Sequence, residues 1–200
     1  MKDLALLVAD KNIDFAVRVI LNRPRALGIR SVTYETRPHV NRDGGVRTSG
    51  PETQALLRQQ FQHGIAMLDW EGSGTEKSAI ELEQELDLRL ARVWGDRAKA
   101  IVIAPELDVW IWGSDSALVN VFGWPKGESI RAWLVGRGYV FDGGEKPVRP
   151  KEALEELMVR LNRPRSSALY EMVTGKISLR HCVDPAFKRL RSTLQSWFPP

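Results

Sequence analysis

Four apolar segments rich in branched side chains punctuate the first half of the chain and read as buried β-strands. They are Leu4–Val8, Ile29–Glu35, Gly64–Asp69 and Ala100–Ala104. The stretches between them repeat apolar residues at helical spacing. This β-α-β-α-β-α-β order predicts an α/β fold with a Rossmann-like, mostly parallel four-stranded sheet and helices on its faces.

The intervening segments have recognisable boundaries. Pro24 ends the first helix, which carries an apolar stripe from Ile13 to Leu21. Residues 36–50 are polar and predict a long loop, and Pro51 then opens a helix that runs to about residue 62. Residues 73–76 (Ser-Gly-Thr-Glu) match a capping box for the next helix, which Gly95 ends.

The second half of the chain predicts helices only. Their expected ranges are 116–122, 127–137, 151–162, 166–174 and 184–198. Residues 143–147, with two glycines and a proline, are the best linker candidate. We therefore expect an α/β domain over 1–142 and a helical C-terminal extension over 143–200, packed on that domain.

The composition says little about the function of the protein and more about its location in the cell. A net charge of +4 over 200 residues permits a nucleic-acid or phosphate partner, but solubility alone explains it equally well. Cys182 is the only cysteine, which excludes an intrachain disulfide and fits a reducing cytoplasm. No apolar run approaches the ~20 residues of a membrane span, so we expect a cytoplasmic protein with no membrane partner.

Two carboxylates follow the third strand. Asp69 and Glu71 are two residues apart, on the same side of an extended chain, and Gly72 comes next. Ligands of parallel α/β folds bind at the carboxyl ends of the strands, and hard oxygen ligands suit Mg²⁺. The alternative is an acidic loop that leads into a helix, where negative charge complements the helix dipole.

Other acids fall at equivalent places. Asp10 ends the first strand, so it either joins Asp69 or caps the following helix. Glu106 and Asp108 follow the fourth strand and alternate with apolar residues, so they share a face if that segment is extended. They either enlarge the acidic cluster as further metal ligands or form a solvated edge.

The polar loop supplies cations. Arg42 and Arg47 are candidate phosphate ligands, because the guanidinium group binds phosphate through paired hydrogen bonds. Gly44 and Gly45 would let the backbone approach a ligand closely. Arginine beside acidic metal ligands is typical of phosphodiester sites, whereas a solvent-exposed mobile loop is the plain alternative. No two histidines have the spacing of a zinc site.

Three short stretches resemble the Toprim domain of primases, topoisomerases and overcoming-lysogenization-defect nucleases. Residues 6–12 lie where that domain has a strand ending in Val-Glu-Gly, and residues 67–72 (Met-Leu-Asp-Trp-Glu-Gly) lie where it has Asp-x-Asp-Gly. Residues 103–110 resemble its Pro-Glu-x-Glu-x-Trp motif. The tail over 151–197 is also similar, and the chain most resembles small stand-alone Toprim-like proteins of bacterial defence loci.

The resemblance implies a Toprim-like fold, Mg²⁺ or Mn²⁺ as cofactor, and nuclease-like chemistry. In that family the strand-end Glu is the general acid/base and the Asp pair holds the metal. Here Ala9 stands at the position of that Glu, with Asp10 one residue later, and Glu71 replaces the second Asp. These departures question catalysis more than they question the fold.

Two hypotheses follow. The first is Mg²⁺-dependent phosphodiester or phosphoryl transfer on nucleic acid in antiphage defence, with Asp10, Asp69 and Glu71 as catalytic residues. The second is a catalytically degenerate Toprim-like subunit that binds other proteins of a defence system.

Overall fold

A parallel four-stranded sheet forms the centre of the molecule. The computed structural model describes residues 1–113, 115–141, 146–164, 166–180 and 182–200. The strands are β1 (Lys2–Val8), β2 (Tyr34–Pro38), β3 (Phe61–Asp69) and β4 (Ala98–Ile103), in the order β2-β1-β3-β4. All pairings are parallel. The predicted α/β class with a parallel four-stranded sheet is therefore confirmed.

Helices flank the sheet on both faces and continue through the second half of the described chain. Their bounds, in chain order, are α1 (Lys11–Leu21), α2 (Pro24–Leu27), α3 (Arg42–Ala55), α4 (Ala79–Trp94), α5 (Asp108–Ile111), α6 (Asp115–Phe122), α7 (Ile130–Val135), α8 (Pro150–Arg160), α9 (Ser167–Lys176) and α10 (Pro185–Trp197). The helical character predicted for the second half is borne out.

The sheet register brings the strand ends together. β1 and β3 are the two central strands, and their apolar side chains are buried on both faces. Val8 pairs with Met67, and Asp69 pairs with Ile103. The segments that follow β1, β3 and β4 consequently leave the sheet at the same edge.

The predicted polar loop over 36–50 is largely wrong. β2 extends to Pro38 and lies later in the chain than predicted, while α3 already begins at Arg42. Its buried positions include Gly45, Val46 and Gly50, so the helix has no conventional apolar stripe. The helix packs through glycines, and this is why hydrophobic periodicity missed it.

Pro51 lies inside α3 and does not open a helix as predicted. A proline at this position leaves the carbonyl four residues earlier without its usual N–H donor. That carbonyl belongs to Arg47, and Arg89 Nη1 donates to it at 2.7 Å. Arg89 Nη2 also donates to Thr48 O at 2.6 Å. A side chain of α4 therefore replaces the missing backbone hydrogen bond.

The capping box predicted at Ser73 is also displaced. Ser73 is buried in a short 3₁₀ turn, and its hydroxyl donates to Trp70 O at 2.6 Å. Gly74 follows with a φ of +66°, which turns the chain away from a helix. The capping box that forms pairs Ser78 with Glu81 at the start of α4.

Side chains form hydrogen bonds with backbone groups on the outer edge of β4. Asp87 accepts from Ala100 N at 2.8 Å, and Glu83 accepts from Val102 N at 3.2 Å. Arg189 of α10 donates to Ala100 O at 3.1 Å and pairs with both carboxylates. The unpaired backbone groups of an edge strand are thus covered, and α10 is fixed against the sheet.

Further bonds hold the C-terminal helices on the first half of the chain. Arg23 donates to Thr174 O and Ile177 O at 2.9 and 3.0 Å, and Gln195 donates to Leu27 O at 2.6 Å. The predicted domain boundary at 142/143 lies outside the described residues. Among the residues that are described, no helix is long and apolar enough to cross a membrane.

One buried side chain joins α3 to the two central strands. Gln54 is fully buried, and its Nε2 donates to Ile65 O at 2.6 Å and to Ala5 O at 3.3 Å. In Gln54→Ala both carbonyls lose a donor inside the core, so the free energy of unfolding should fall by about 2–4 kcal/mol. Urea denaturation measures this change. The exposed control Gln59→Ala should stay within about 0.5 kcal/mol of wild type, and an equal loss in both variants would contradict the assignment.

Candidate functional site

A cleft of about 750 Å³ opens at the C-terminal edge of the sheet. Parallel α/β proteins bind their ligands at this edge. Six carboxylates of the described residues line it: Asp10, Asp43, Asp69, Glu71, Glu106 and Asp108. The structure thus brings together all five acids proposed from the sequence and adds Asp43.

Asp10 combines the two roles that the sequence left open. Its Oδ1 accepts hydrogen bonds from Asn12 N at 2.9 Å and from Ile13 N at 3.0 Å, so it caps α1. The same carboxylate lines the cleft. The cap fixes the side chain at the end of β1 and leaves Oδ2 without a role in that cap.

Two hydrogen bonds from backbone N–H groups fix Asp69 in place. Its own N–H donates to Asp43 Oδ1 at 2.8 Å, and Leu107 N donates to Asp69 Oδ1 at 2.9 Å. These bonds tie the end of β3 to the first turn of α3 and to the segment after β4. The position of Asp69 therefore depends on three segments that are distant in sequence.

Glu71 is the most exposed carboxylate of the cluster, and its N–H donates to Pro105 O at 3.0 Å. The next residue must be small. A Cβ at position 72 would lie 2.5 Å from Asp43 Oδ2, well inside van der Waals contact. Gly72 therefore allows the loop after β3 to lie against the Asp43 carboxylate.

Glu106 and Asp108 are buried, with 8% and 2% of their surface exposed. The segment that holds them is not extended as predicted, because Leu107 has helical dihedral angles and α5 begins at Asp108. Both side chains still reach the cleft. Lys151 Nζ of α8 lies 3.7 Å from Glu106 Oε2, and Tyr170 Oη of α9 donates to Asp108 Oδ1 at 3.0 Å.

Burial, and after it mutual repulsion, raises carboxyl pKa values in this cluster. Burial raises the pKa of Asp69 well above its usual range, and the charges of Asp43, Asp10, Glu106 and Asp108 raise it further. Burial also raises the pKa of Asp43, with Asp10 adding to the effect and the Asp69 N–H and Arg42 opposing it. A cation in the cleft would relieve this repulsion.

The chemistry of the donors fits Mg²⁺ or Mn²⁺. Within the described ranges, no three or more His, Cys, Asp or Glu side chains form a ready metal-holding group. Mg²⁺ does not require such a cage, since it keeps several waters and uses one or two protein carboxylates together with substrate phosphates. Hard carboxylate oxygens crowded around one cleft are suitable ligands for that mode of binding.

The two predicted phosphate ligands lie in different environments. Arg42 is exposed, lines the cleft and has a φ of +50°, which is uncommon for a residue with a side chain. Arg47 is half-buried, and its Nε donates to Ser73 O at 2.7 Å. Arg47 therefore supports the loop after β3 and is not among the described residues that line the cleft.

Sequence reasoning missed Asp43 and Lys151. Asp43 precedes Gly44 and Gly45, the same acid-then-glycine pattern that singled out Glu71 and Gly72, so a signal was present. Lys151 carried no signal, because only the folding of α8 against α5 brings it to Glu106. Asp115 also follows β4, but its side chain lies outside the described residues.

The raised carboxyl pKa values predict a pH dependence. The folded protein retains protons on Asp69 and Asp43 that the unfolded chain releases near the ordinary value of 3.8. Asp69 and Asp43 therefore make the metal-free folded protein less stable as the pH rises. Their contribution to the free energy of unfolding falls from about pH 3.8 up to their raised pKa values.

Asp69→Asn should lessen that fall and raise the free energy of unfolding at neutral pH. Urea denaturation from acid to neutral pH, without divalent cations, measures the difference from wild type. Asp96→Asn, an exposed acid outside the cleft, is the matched control and should track wild type. An Asp69→Asn curve parallel to wild type would contradict the raised pKa of Asp69.

No protein-family model, curated protein or solved structure matches this chain.

Proposed function

We propose that this chain is a Toprim-like enzyme of bacterial antiphage defence that performs Mg²⁺- or Mn²⁺-dependent phosphodiester or phosphoryl transfer on nucleic acid. The observation that carries the proposal is the convergence of six carboxylates on one cleft at the C-terminal edge of the sheet, with Arg42 and Lys151 in its wall. Acids that hold metal beside cations that hold phosphate are the combination that phosphoryl transfer requires. The defence setting is supported by the Toprim resemblance alone.

Each group has a role in this proposal. Asp69 and Glu71 hold the metal, assisted by Asp10, with Glu106 and Asp108 as further ligands. When bound, Mg²⁺ supplies Lewis acidity toward a phosphoryl oxygen and toward water. Asp10 stands one residue after the position of the family Glu, so it is the strand-end carboxylate available to exchange a proton.

The cationic side chains neutralise the substrate. Arg42 is exposed at the wall of the cleft, where its guanidinium can donate two hydrogen bonds to one phosphate. Lys151 supplies a second positive charge, shared with Glu106. Asp43 positions Asp69 through the bond from the Asp69 N–H.

One observation favours the second hypothesis, a degenerate Toprim-like subunit that binds other defence proteins. Ala9 carries no ionisable group and is only 1% exposed at the position of the family Glu. If Asp10 does not replace that group, the acidic cleft has lost its acid/base residue. The chain would then act through its surface and not through chemistry.

Metal binding distinguishes the two hypotheses. Mg²⁺ or Mn²⁺ should raise the unfolding temperature of wild type, since a ligand of the folded state adds about 2.7 kcal/mol at 100 times its Kd. The Asp69→Ala/Glu71→Ala double variant should lose both this rise and any cleavage of DNA or RNA. Differential scanning fluorimetry and gel-based nuclease assays provide the measurements.

The matched control for this pair is Glu76→Ala/Asp96→Ala, which removes two exposed acids outside the cleft and should behave as wild type. Full activity in the Asp69→Ala/Glu71→Ala protein would sink the enzyme proposal. No metal effect in wild type, together with stable co-purification of a defence-locus protein, would favour the interaction subunit.

Substitution of Arg42 and substitution of Arg47 should change different measured quantities. Arg42→Ala should weaken binding of a labelled single-stranded oligonucleotide and lower the slope of log affinity against log salt by about one. Arg47→Ala should instead lower the free energy of unfolding by about 1 kcal/mol through the lost bond to Ser73 O.

Fluorescence anisotropy in Ca²⁺, used to suppress cleavage, measures the affinity. Arg58→Ala is the control, because Arg58 is exposed just before β3, at the opposite edge of the sheet. Equal losses of affinity in Arg42→Ala and Arg58→Ala would show a diffuse charge effect and contradict a specific contact.

A further inference from the structure

The segment after β4 is attached to the C-terminal helices by three buried polar bonds. Tyr170 Oη of α9 donates to Asp108 Oδ1 at 3.0 Å. Trp110 Nε1 donates to Asp184 Oδ1, the cap of α10, at 2.9 Å. Trp112 Nε1 donates to Pro150 O, at the start of α8, at 3.0 Å. Each of three helices of the extension is therefore bonded to α5 or to Trp112, the residue directly after it.

The bond from Tyr170 is the one that ends on a carboxylate of the cleft. Tyr170 is 1% exposed and Asp108 is 2% exposed, so neither side chain can exchange this bond freely for water. A hydrogen bond from a hydroxyl to a carboxylate is directional. It fixes one oxygen of Asp108 and leaves the carboxylate plane in a defined orientation.

We infer that Tyr170 is a positioning residue for the cleft: its hydroxyl orients the Asp108 carboxylate toward the divalent cation. This inference rests on the proposed function, because it assigns a role within the same metal site. Partners that orient a metal-binding carboxylate contribute to metal affinity without touching the metal. The helical extension thereby contributes to metal binding at the site, through the Tyr170 hydroxyl of α9.

Mn²⁺ alone is the probe, and isothermal titration of the full chain is the measurement. Tyr170→Phe removes one oxygen and leaves the ring in place. Its Kd for Mn²⁺ should rise on the order of tenfold over wild type. Thermal unfolding without metal establishes that the variant is folded at the titration temperature.

Tyr34→Phe is the matched control among the three tyrosines of the chain. Tyr34 Oη donates to Asn22 Oδ1 at 3.0 Å, and Tyr34 starts β2, at the edge of the sheet opposite the cleft. This variant also loses one hydroxyl hydrogen bond, but its Mn²⁺ affinity should equal that of wild type.

A double-mutant cycle separates positioning from general support of the fold. In an Asp108→Ala background the Tyr170→Phe change should cause no further loss of Mn²⁺ affinity. Asp108→Asn alone should also weaken Mn²⁺ binding, and this measurement does not depend on the folding of any Tyr170 variant.

Several outcomes would overturn the inference while leaving the proposed function intact. The first is that Tyr170→Phe or Asp108→Asn binds Mn²⁺ with wild-type affinity. The second is that Tyr34→Phe loses as much Mn²⁺ affinity as Tyr170→Phe. The third is that Tyr170→Phe weakens Mn²⁺ binding as much in the Asp108→Ala background as in wild type. Wild-type protein that binds no Mn²⁺ would remove the metal from the proposed function, and this inference would fall with it.

Discussion

Parallel pairing of β1, β3 and β4 is the constraint on which the rest of the molecule depends. Because these strands run the same way, with Val8 opposite Met67 and Asp69 opposite Ile103, the segments that follow them leave the sheet at one edge. Each segment carries at least one acid. The cleft is therefore a consequence of the sheet register, and a shift in that register would separate its side chains.

The same convergence has an energetic cost. Burial raises the pKa of Asp69 and Asp43, and repulsion by the neighbouring carboxylates of the cleft raises it further. Backbone N–H groups of Asp69 and Leu107 offset part of this cost, and Lys151 and Arg42 add positive charge. A cluster that destabilises the folded chain and is nonetheless held by dedicated hydrogen bonds is characteristic of a functional site.

The C-terminal helices belong to this arrangement as much as the sheet does. They cover the outer edge of β4 through Arg189, and they hold α5 through Tyr170, Asp184 and the Pro150 carbonyl. The sequence predicted a helical extension packed on an α/β domain. In the folded chain that extension supplies a wall of the cleft and a bond to one of its buried acids.

The sequence alone determined the α/β class and the parallel sheet, and it marked Asp10, Asp69, Glu71, Glu106 and Asp108 as candidates, because apolar strands and the acids that follow them are local patterns. It left open whether these acids meet, and it predicted an extended segment where α5 begins at Asp108. It failed over residues 36–50, where α3 packs through glycines and Arg89 replaces the hydrogen bond that Pro51 removes. Only the tertiary structure placed Asp43 and Lys151 at the cleft, brought the Tyr170 hydroxyl to Asp108 and turned Arg47 toward the Ser73 carbonyl. These contacts join segments far apart in sequence, so no local pattern of residues encodes them.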